Sequence, residues 1–132
     1  EALRNIQEHG IRVNGCFVLG LDGHGPDIFD HVREFVREAD LFDVQITVLT
    51  PFPGTPLYAR FRDENRLTHP GAWERCTLFD VNFKPSGMSV DELERGFRSL
   101  ALELYSAAWT KRRRDRFNAR LRTHRKQKEA AS

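Results

Sequence analysis

The stretch from Ile11 to Tyr58, IRVNGCFVLGLDGHGPDIFDHVREFVREADLFDVQITVLTPFPGTPLY, reads as strand, helix, strand. Ile11 to Leu21 is mostly β-branched, aromatic or aliphatic and runs into LDGHGP, where Gly20, Gly23, Gly25 and Pro26 punctuate the chain. That is the pattern of a buried strand feeding a loop. Ile28, Val32, Phe35, Val36 and Ala39 recur on one helical face, with Asp30, Arg33, Glu34, Arg37 and Glu38 around the rest, which predicts an amphipathic helix. Val44 to Thr50 forms a second strand, ended by PFPGTP because proline cannot donate to a ladder. Two strands joined through one helix are most simply a right-handed crossover in a largely parallel sheet covered by helices.

Side chains alternate along a strand. Val13, Phe17 and Leu19 therefore share one face and Asn14, Cys16 and Val18 the other; Val44, Ile46 and Val48 likewise oppose Gln45, Thr47 and Leu49. The apolar faces are expected to take the helices. The mixed faces then point to a barrel lumen or an opposite layer, where a buried Asn, Gln or Thr needs a partner or costs roughly 1 to 3 kcal/mol.

The chain has 132 residues, 39% of them hydrophobic and 11% aromatic, enough for one core. Its opening, EALRNIQEHG, reads as the last turns of a helix, with Leu3 and Ile6 on one face and Gly10 as the cap. A helix end that runs straight into a parallel strand leaves that strand's edges without neighbours. A longer polypeptide is therefore expected, its missing N-terminal half being the first partner. No apolar run approaches the roughly 20 residues that span a bilayer, and no signal peptide is visible. Cys16, assigned to a buried strand, and Cys76 are far apart and outside any CxxC pair. With that cysteine usage a reducing, cytoplasmic setting is expected. His9, His24, His31, His69 and His124 show no metal-ligand spacing.

Beyond Tyr58 a short helix is expected to turn Leu57, Phe61 and Tyr58 inward, followed by a turn at Pro70 and Gly71. CTLFDVNF alternates Phe79, Val81 and Phe83 against Asp80 and Asn82, the pattern of a short extended segment or strap, with Trp73 expected to pack against it. Ser89 and Glu92 fit a capping box. Leu93, Phe97, Leu100, Ala101, Leu104 and Ala108 give the helix that follows a core stripe.

Charge is divided unevenly. Residues 1–110 hold 11 Lys and Arg against 17 Asp and Glu, whereas residues 111–132 hold 10 against 2. In the basic segment only Phe117 and Leu121 offer helical anchors, so a basic helix fraying into disorder is expected. It would either bind RNA or an anionic lipid surface through phosphates, or serve as a solvated tail that aids solubility or docks on an acidic surface of its own protein.

At GCFVLGLDG and VLTPFPGTPLY the chain resembles the radical S-adenosylmethionine superfamily, specifically the enzymes that carry an N-terminal cobalamin-binding domain. The resemblance covers roughly residues 1–105. It implies an α/β fold that is the C-terminal portion of a partial (β/α)6 TIM-like barrel with a helical C-terminal extension. Residues 1–58 would hold strands five and six, 59–110 a mainly helical closing extension, and 111–132 the basic, partly disordered tail. The family's cluster motif, CxxxCxxC, is absent, as are the first four strands.

What the resemblance implies for the site follows residue by residue. Val18 and Gly20 match the fifth-strand pattern that lies against the adenine of S-adenosylmethionine, and Leu49, Thr50 and Pro51 resemble the second adenine contact. Gly20 would let the cofactor approach the backbone. Phe52, Gly54 and Thr55 make the turn after strand six. His24 and Gly25 stand where an acidic residue and a threonine are common, leaving the following helix without its usual cap. Asp22 is the carboxylate poised at the strand end to meet a small-molecule substrate. The complete enzyme would use S-adenosylmethionine, a 4Fe-4S cluster and cobalamin, making a 5′-deoxyadenosyl radical for methyl transfer or related C–H chemistry. This segment would supply adenine packing and substrate-site walls. Without cluster ligands it is not expected to start that chemistry alone.

Two other classes stand beside this reading. One is a small basic-tailed RNA-binding or interaction protein without catalysis. The other is a different (β/α) barrel enzyme, against which the loops lack a phosphate cradle, a Lys or a paired carboxylate at the strand ends.

Overall fold

The structure is a computed structural model that describes residues 2–131. Its elements run α1 (Ala2–Glu8), β1 (Asn14–Leu19), α2 (Ile28–Glu38), β2 (Asp43–Val48), α3 (Pro56–Asp63), a 3-10 turn (Trp73–Arg75), α4 (Val90–Leu104) and α5 (Ala107–Ala130). β1 and β2 are parallel, pairing Asn14 with Asp43 through Leu19 with Val48. The expected strand, helix and strand are present, and the α/β class holds. The described sheet has two strands.

The alternation decides which face is covered. Leu19, Val44, Ile46 and Val48 are buried together with Val32 and Val36 of α2 and Leu93, Leu100 and Leu104 of α4, the apolar burial that drives such a layer to form. On the opposite face Asn14, Cys16, Val18 and Gln45 are exposed. Cys16 thus lies in a half-covered strand, exposed rather than buried as expected, and both cysteines are free.

α4 begins as its sequence dictates. The Ser89 hydroxyl accepts from the Glu92 amide at 3.1 Å and the Glu92 carboxylate accepts from the Ser89 amide at 2.7 Å. The helix crosses α2 at Gly96, where a Cβ would lie 2.1 Å from the ring of Phe29. The apolar stripe does not continue to Ala108. The helix stops at Leu104, and Ser106 caps a new one by accepting from the Trp109 amide at 3.2 Å. Helical spacing by itself does not register such a change of axis.

Other expectations are corrected by burial. In α1 the inward residue is Gln7, whose amide donates to the Ala39 carbonyl at 2.9 Å, while Ile6 is exposed. Phe61 of α3 is fully buried and stacks on Phe83 with ring centroids 5.1 Å apart. In the strap Val81, Asn82 and Phe83 are all buried, while Phe79 and Trp73 are 60% and 66% exposed. Strand alternation fails there because the strap's pairing is a single bridge between Leu67 and Phe83, and the Asn82 amide turns inward to the Arg75 carbonyl. Trp73 rides on the 3-10 turn instead of anchoring the strap.

The basic segment is helical through Ala130. Phe117 is buried against Phe42, Arg114 pairs with Asp43 at 2.9 Å, and Arg116 and Arg120 both pair with buried Asp40. Lys111 bridges to Asp115 on the same helix. α5 is therefore docked on acidic residues of its own chain, the second of the two roles expected for it. No described helix is long and apolar enough to cross a membrane.

Candidate functional site at the strand ends

The two edges of the sheet differ. The Asp43 amide donates to the Val13 carbonyl and the Leu49 amide to the Leu19 carbonyl, so odd-numbered residues of both strands face each other. Even-numbered residues of β2 point to the outer edge, which is occupied: the Tyr105 hydroxyl accepts from the Ile46 amide at 2.9 Å and the Leu78 carbonyl from the Val48 amide at 2.7 Å. Leu78 adopts a φ of +69° to present that carbonyl. Along the free edge of β1, among the described residues, no hydrogen bond reaches the backbone of Asn14, Cys16 or Val18. β1 is thus open on one edge and one face, while β2 is closed on its edge.

The residues singled out from the sequence meet at the C-terminal ends of these strands. Val18 pairs with Thr47 in register and is 44% exposed on the bare face. Gly20 follows β1 with a φ of +88°; a Cβ there would lie 2.9 Å from side-chain atoms of both Leu93 and Phe83. The core thus gives its own reason for glycine at this position, beside any approach by a ligand. Leu49 is half-buried, Thr50 is buried with its hydroxyl donating to the Val48 carbonyl at 3.1 Å, and Pro51 is buried beside Tyr58, Leu67 and Asn82. Phe52 is exposed beyond them, and its carbonyl accepts from the Thr55 amide and hydroxyl as Thr55 caps α3.

Asp22 stands in the loop after Gly20 inside a polar cluster. Arg66 donates to it at 2.8 Å, Arg60 at 2.9 Å and the Ser86 hydroxyl at 3.1 Å. Arg66 also donates to the Lys84 carbonyl and lies 4.1 Å from the Phe61 ring centroid. The Arg66 hydrogen bond holds the Asp22 carboxyl below its ordinary range against the opposing effect of desolvation, helped by Ser86 and by the charges of both arginines. Sequence reasoning found Asp22 but missed Arg60, Arg66 and Ser86, which lie 38, 44 and 64 residues away. No local pattern announces them. The helix after this loop does start without a side-chain cap at Asp27.

The described residues hold no group of three or more His, Cys, Asp or Glu side chains able to take a metal ion. They do not fit an iron–sulfur cluster, and none of them is assigned to one. The bare face does offer a flat organic group apolar contact, through an exposed Val18 beside Thr47.

The chain resembles several proteins of named activity. Over 104 residues it is 27% identical to the bacteriochlorophyllide d C-12(1)-methyltransferase of Chlorobaculum tepidum, covering 79% of this chain and 22% of that protein. It is 33% identical over 69 residues to the hopanoid C-2 methylase of Rhodopseudomonas palustris, covering 52% and 13%. An uncharacterized methyltransferase of Pyrococcus horikoshii is 22% identical over 105 residues, covering 80% and 23%. The chain thus spans less than a quarter of the length of each of these relatives. Their names, methyltransferase and methylase, bear out the resemblance drawn from GCFVLGLDG and VLTPFPGTPLY. Residues 55–132 match the family described as a domain of unknown function, DUF4070, and the chain belongs to that family.

Proposed function

We propose that this chain forms the C-terminal wall of a cobalamin-class radical S-adenosylmethionine methyltransferase, with β1 and β2 as the last two strands of its partial barrel. The observation that carries this reading is the asymmetry of the sheet. The outer edge of β2 is closed by Tyr105 and Leu78, whereas β1 is bare on its free edge and on the face bearing Asn14, Cys16 and Val18. A last strand needs a sealed edge, and a preceding strand needs a neighbour. Relatives named as methyltransferases or methylases favour methyl transfer over other radical chemistry.

In this reading Val18, Gly20, Leu49, Thr50 and Pro51 pack the adenine of S-adenosylmethionine. Val18 supplies apolar contact from the bare face, and half-buried Leu49 with buried Thr50 and Pro51 fixes the backbone at the end of β2. S-adenosylmethionine, with a 4Fe-4S cluster and cobalamin held by residues outside this chain, supplies the radical and methyl chemistry when bound. Asp22, 42% of whose side chain is exposed, stays open to a donor on a small-molecule substrate while Arg60 and Arg66 hold it ionised and in place. α3, the strap and α4 close the wall behind these residues and exclude water from it.

The test is made on the protein at its natural length, purified without oxygen and supplied with iron, sulfide, cobalamin and a reductant. Reductant-dependent conversion of S-adenosylmethionine to 5′-deoxyadenosine or S-adenosylhomocysteine is expected. Failure both to bind and to consume S-adenosylmethionine would contradict the proposal.

A further inference from the structure

The helical layer, on the side of the sheet away from the strand-end site, encloses a second polar feature. Between the end of α2 and the first turns of α5 lies a cavity of about 50 Å3 whose charged and aromatic lining is Arg37, Asp40, Trp109, Arg112, Arg113 and Arg116. A water needs roughly 10 to 15 Å3 by this measure, so the space takes a few waters or one tetrahedral oxyanion.

Four arginines and one carboxylate line it, and that carboxylate already pairs with arginines, although its Oδ1 makes no hydrogen bond. Asp40 is 4% exposed and pairs with Arg116 at 2.7 Å and with Arg120 from outside the cavity. Arg37 pairs with Glu34 at 3.3 Å on the exposed side of α2. Arg112 has no hydrogen bond or ion pair among the described residues. Arg113 is 5% exposed, spends one Nη on the Leu104 carbonyl at 2.6 Å, and leaves its Nε buried without an acceptor. Buried donors in folded proteins are nearly always satisfied, and the Arg113 Nε is not, while Arg112 has no partner among the described residues.

We propose that this cavity is a binding site for a single phosphate-sized inorganic oxyanion, held by Arg113 and Arg112 with Arg37 and Arg116 at its rim. A planar guanidinium meets such an anion through paired N–H donors, which a lysine cannot reproduce. The anion satisfies the Arg113 Nε and offsets the cost of burying its charge. That burial, together with the neighbouring charge of Arg114 and against the attraction of Asp43, otherwise pulls the Arg113 pKa down. The site ties α2 to α5 and is separate from the adenine-packing strand ends, so the outcome of its test does not depend on the proposed reaction.

Inorganic phosphate is titrated calorimetrically into the natural-length protein in a phosphate-free buffer of fixed ionic strength. Saturable binding is expected, displaced by sulfate and not by chloride. Arg112→Gln, at an exposed position that disturbs no internal bond, should weaken it at least tenfold, and Arg113→Gln should abolish it provided its circular dichroism matches the parent. Lys126→Gln, on the same helix away from the cavity, should leave it unchanged. Absence of saturable binding, equal affinity in Arg112→Gln, or an equal loss in Lys126→Gln would overturn the proposal.

Discussion

Arg66 donates to Asp22 across 2.8 Å and so fastens the loop after β1 to the segment after α3. Because the Asp22 carboxyl is lowered from its ordinary value of 3.8, the folded state binds its proton less readily than the unfolded chain does. The resulting stability is fully present above the unfolded value and is lost as pH falls through the folded one. Asp22→Asn is therefore expected to be less stable at neutral pH by below about 1 kcal/mol, given solvent screening of a partly exposed pair. The gap should begin to narrow below about pH 3.8 and close once the folded carboxyl is protonated. Urea unfolding across pH checks this; a gap that persists in acid contradicts it.

Gly96 sets a sign conflict within α4. Alanine gains about 1 kcal/mol in helix propensity, yet its Cβ would meet the Phe29 ring at 2.1 Å. Overpacking of this kind costs about 1 to 3 kcal/mol. Gly96→Ala is expected to lower the unfolding midpoint, and a rise would show that α2 and α4 separate freely.

Removing one hydroxyl opens the edge of β2. In Tyr105→Phe the Ile46 amide loses its acceptor, at a cost of about 1 kcal/mol, the low end for a lost partner that nearby water can replace in part. Faster hydrogen exchange at Ile46 is the expected signature.

Asp40 sits at a φ of +48°, which asparagine tolerates. Asp40→Asn therefore removes the charge that holds Arg116 and Arg120 without straining the backbone. Exchange is expected to quicken across residues 116–130, while α4 keeps its protection. Unchanged exchange in α5 would mean that Phe117 alone docks the helix.

How much of this was legible beforehand depended on range. The Ser89–Glu92 capping box, the alternation that buries Val44, Ile46 and Val48, and the amphipathic α2 are local patterns, and each was readable. The break at Tyr105 and Ser106 was not, because no Gly or Pro marks it. Exposure of Cys16 and Trp73 followed from what covers them, a tertiary matter. The docking of α5 rests on ion pairs that join Asp43 to Arg114 and Asp40 to Arg120 across 71 and 80 residues. Composition could show the charge imbalance but not its destination. At the candidate site, the exposed face that carries Val18 followed from alternation, whereas the arginines around Asp22 came from elements with no shared motif.

The most direct measurement is the affinity of the natural-length protein for S-adenosylmethionine before and after Val18→Glu. The substitution places a charge on the bare face, at a position 44% exposed and outside the core. A loss of at least tenfold in affinity, with unchanged iron content and circular dichroism, is the result predicted for a residue that packs the adenine. Equal affinity in the two proteins would contradict the assignment of this face to the cofactor.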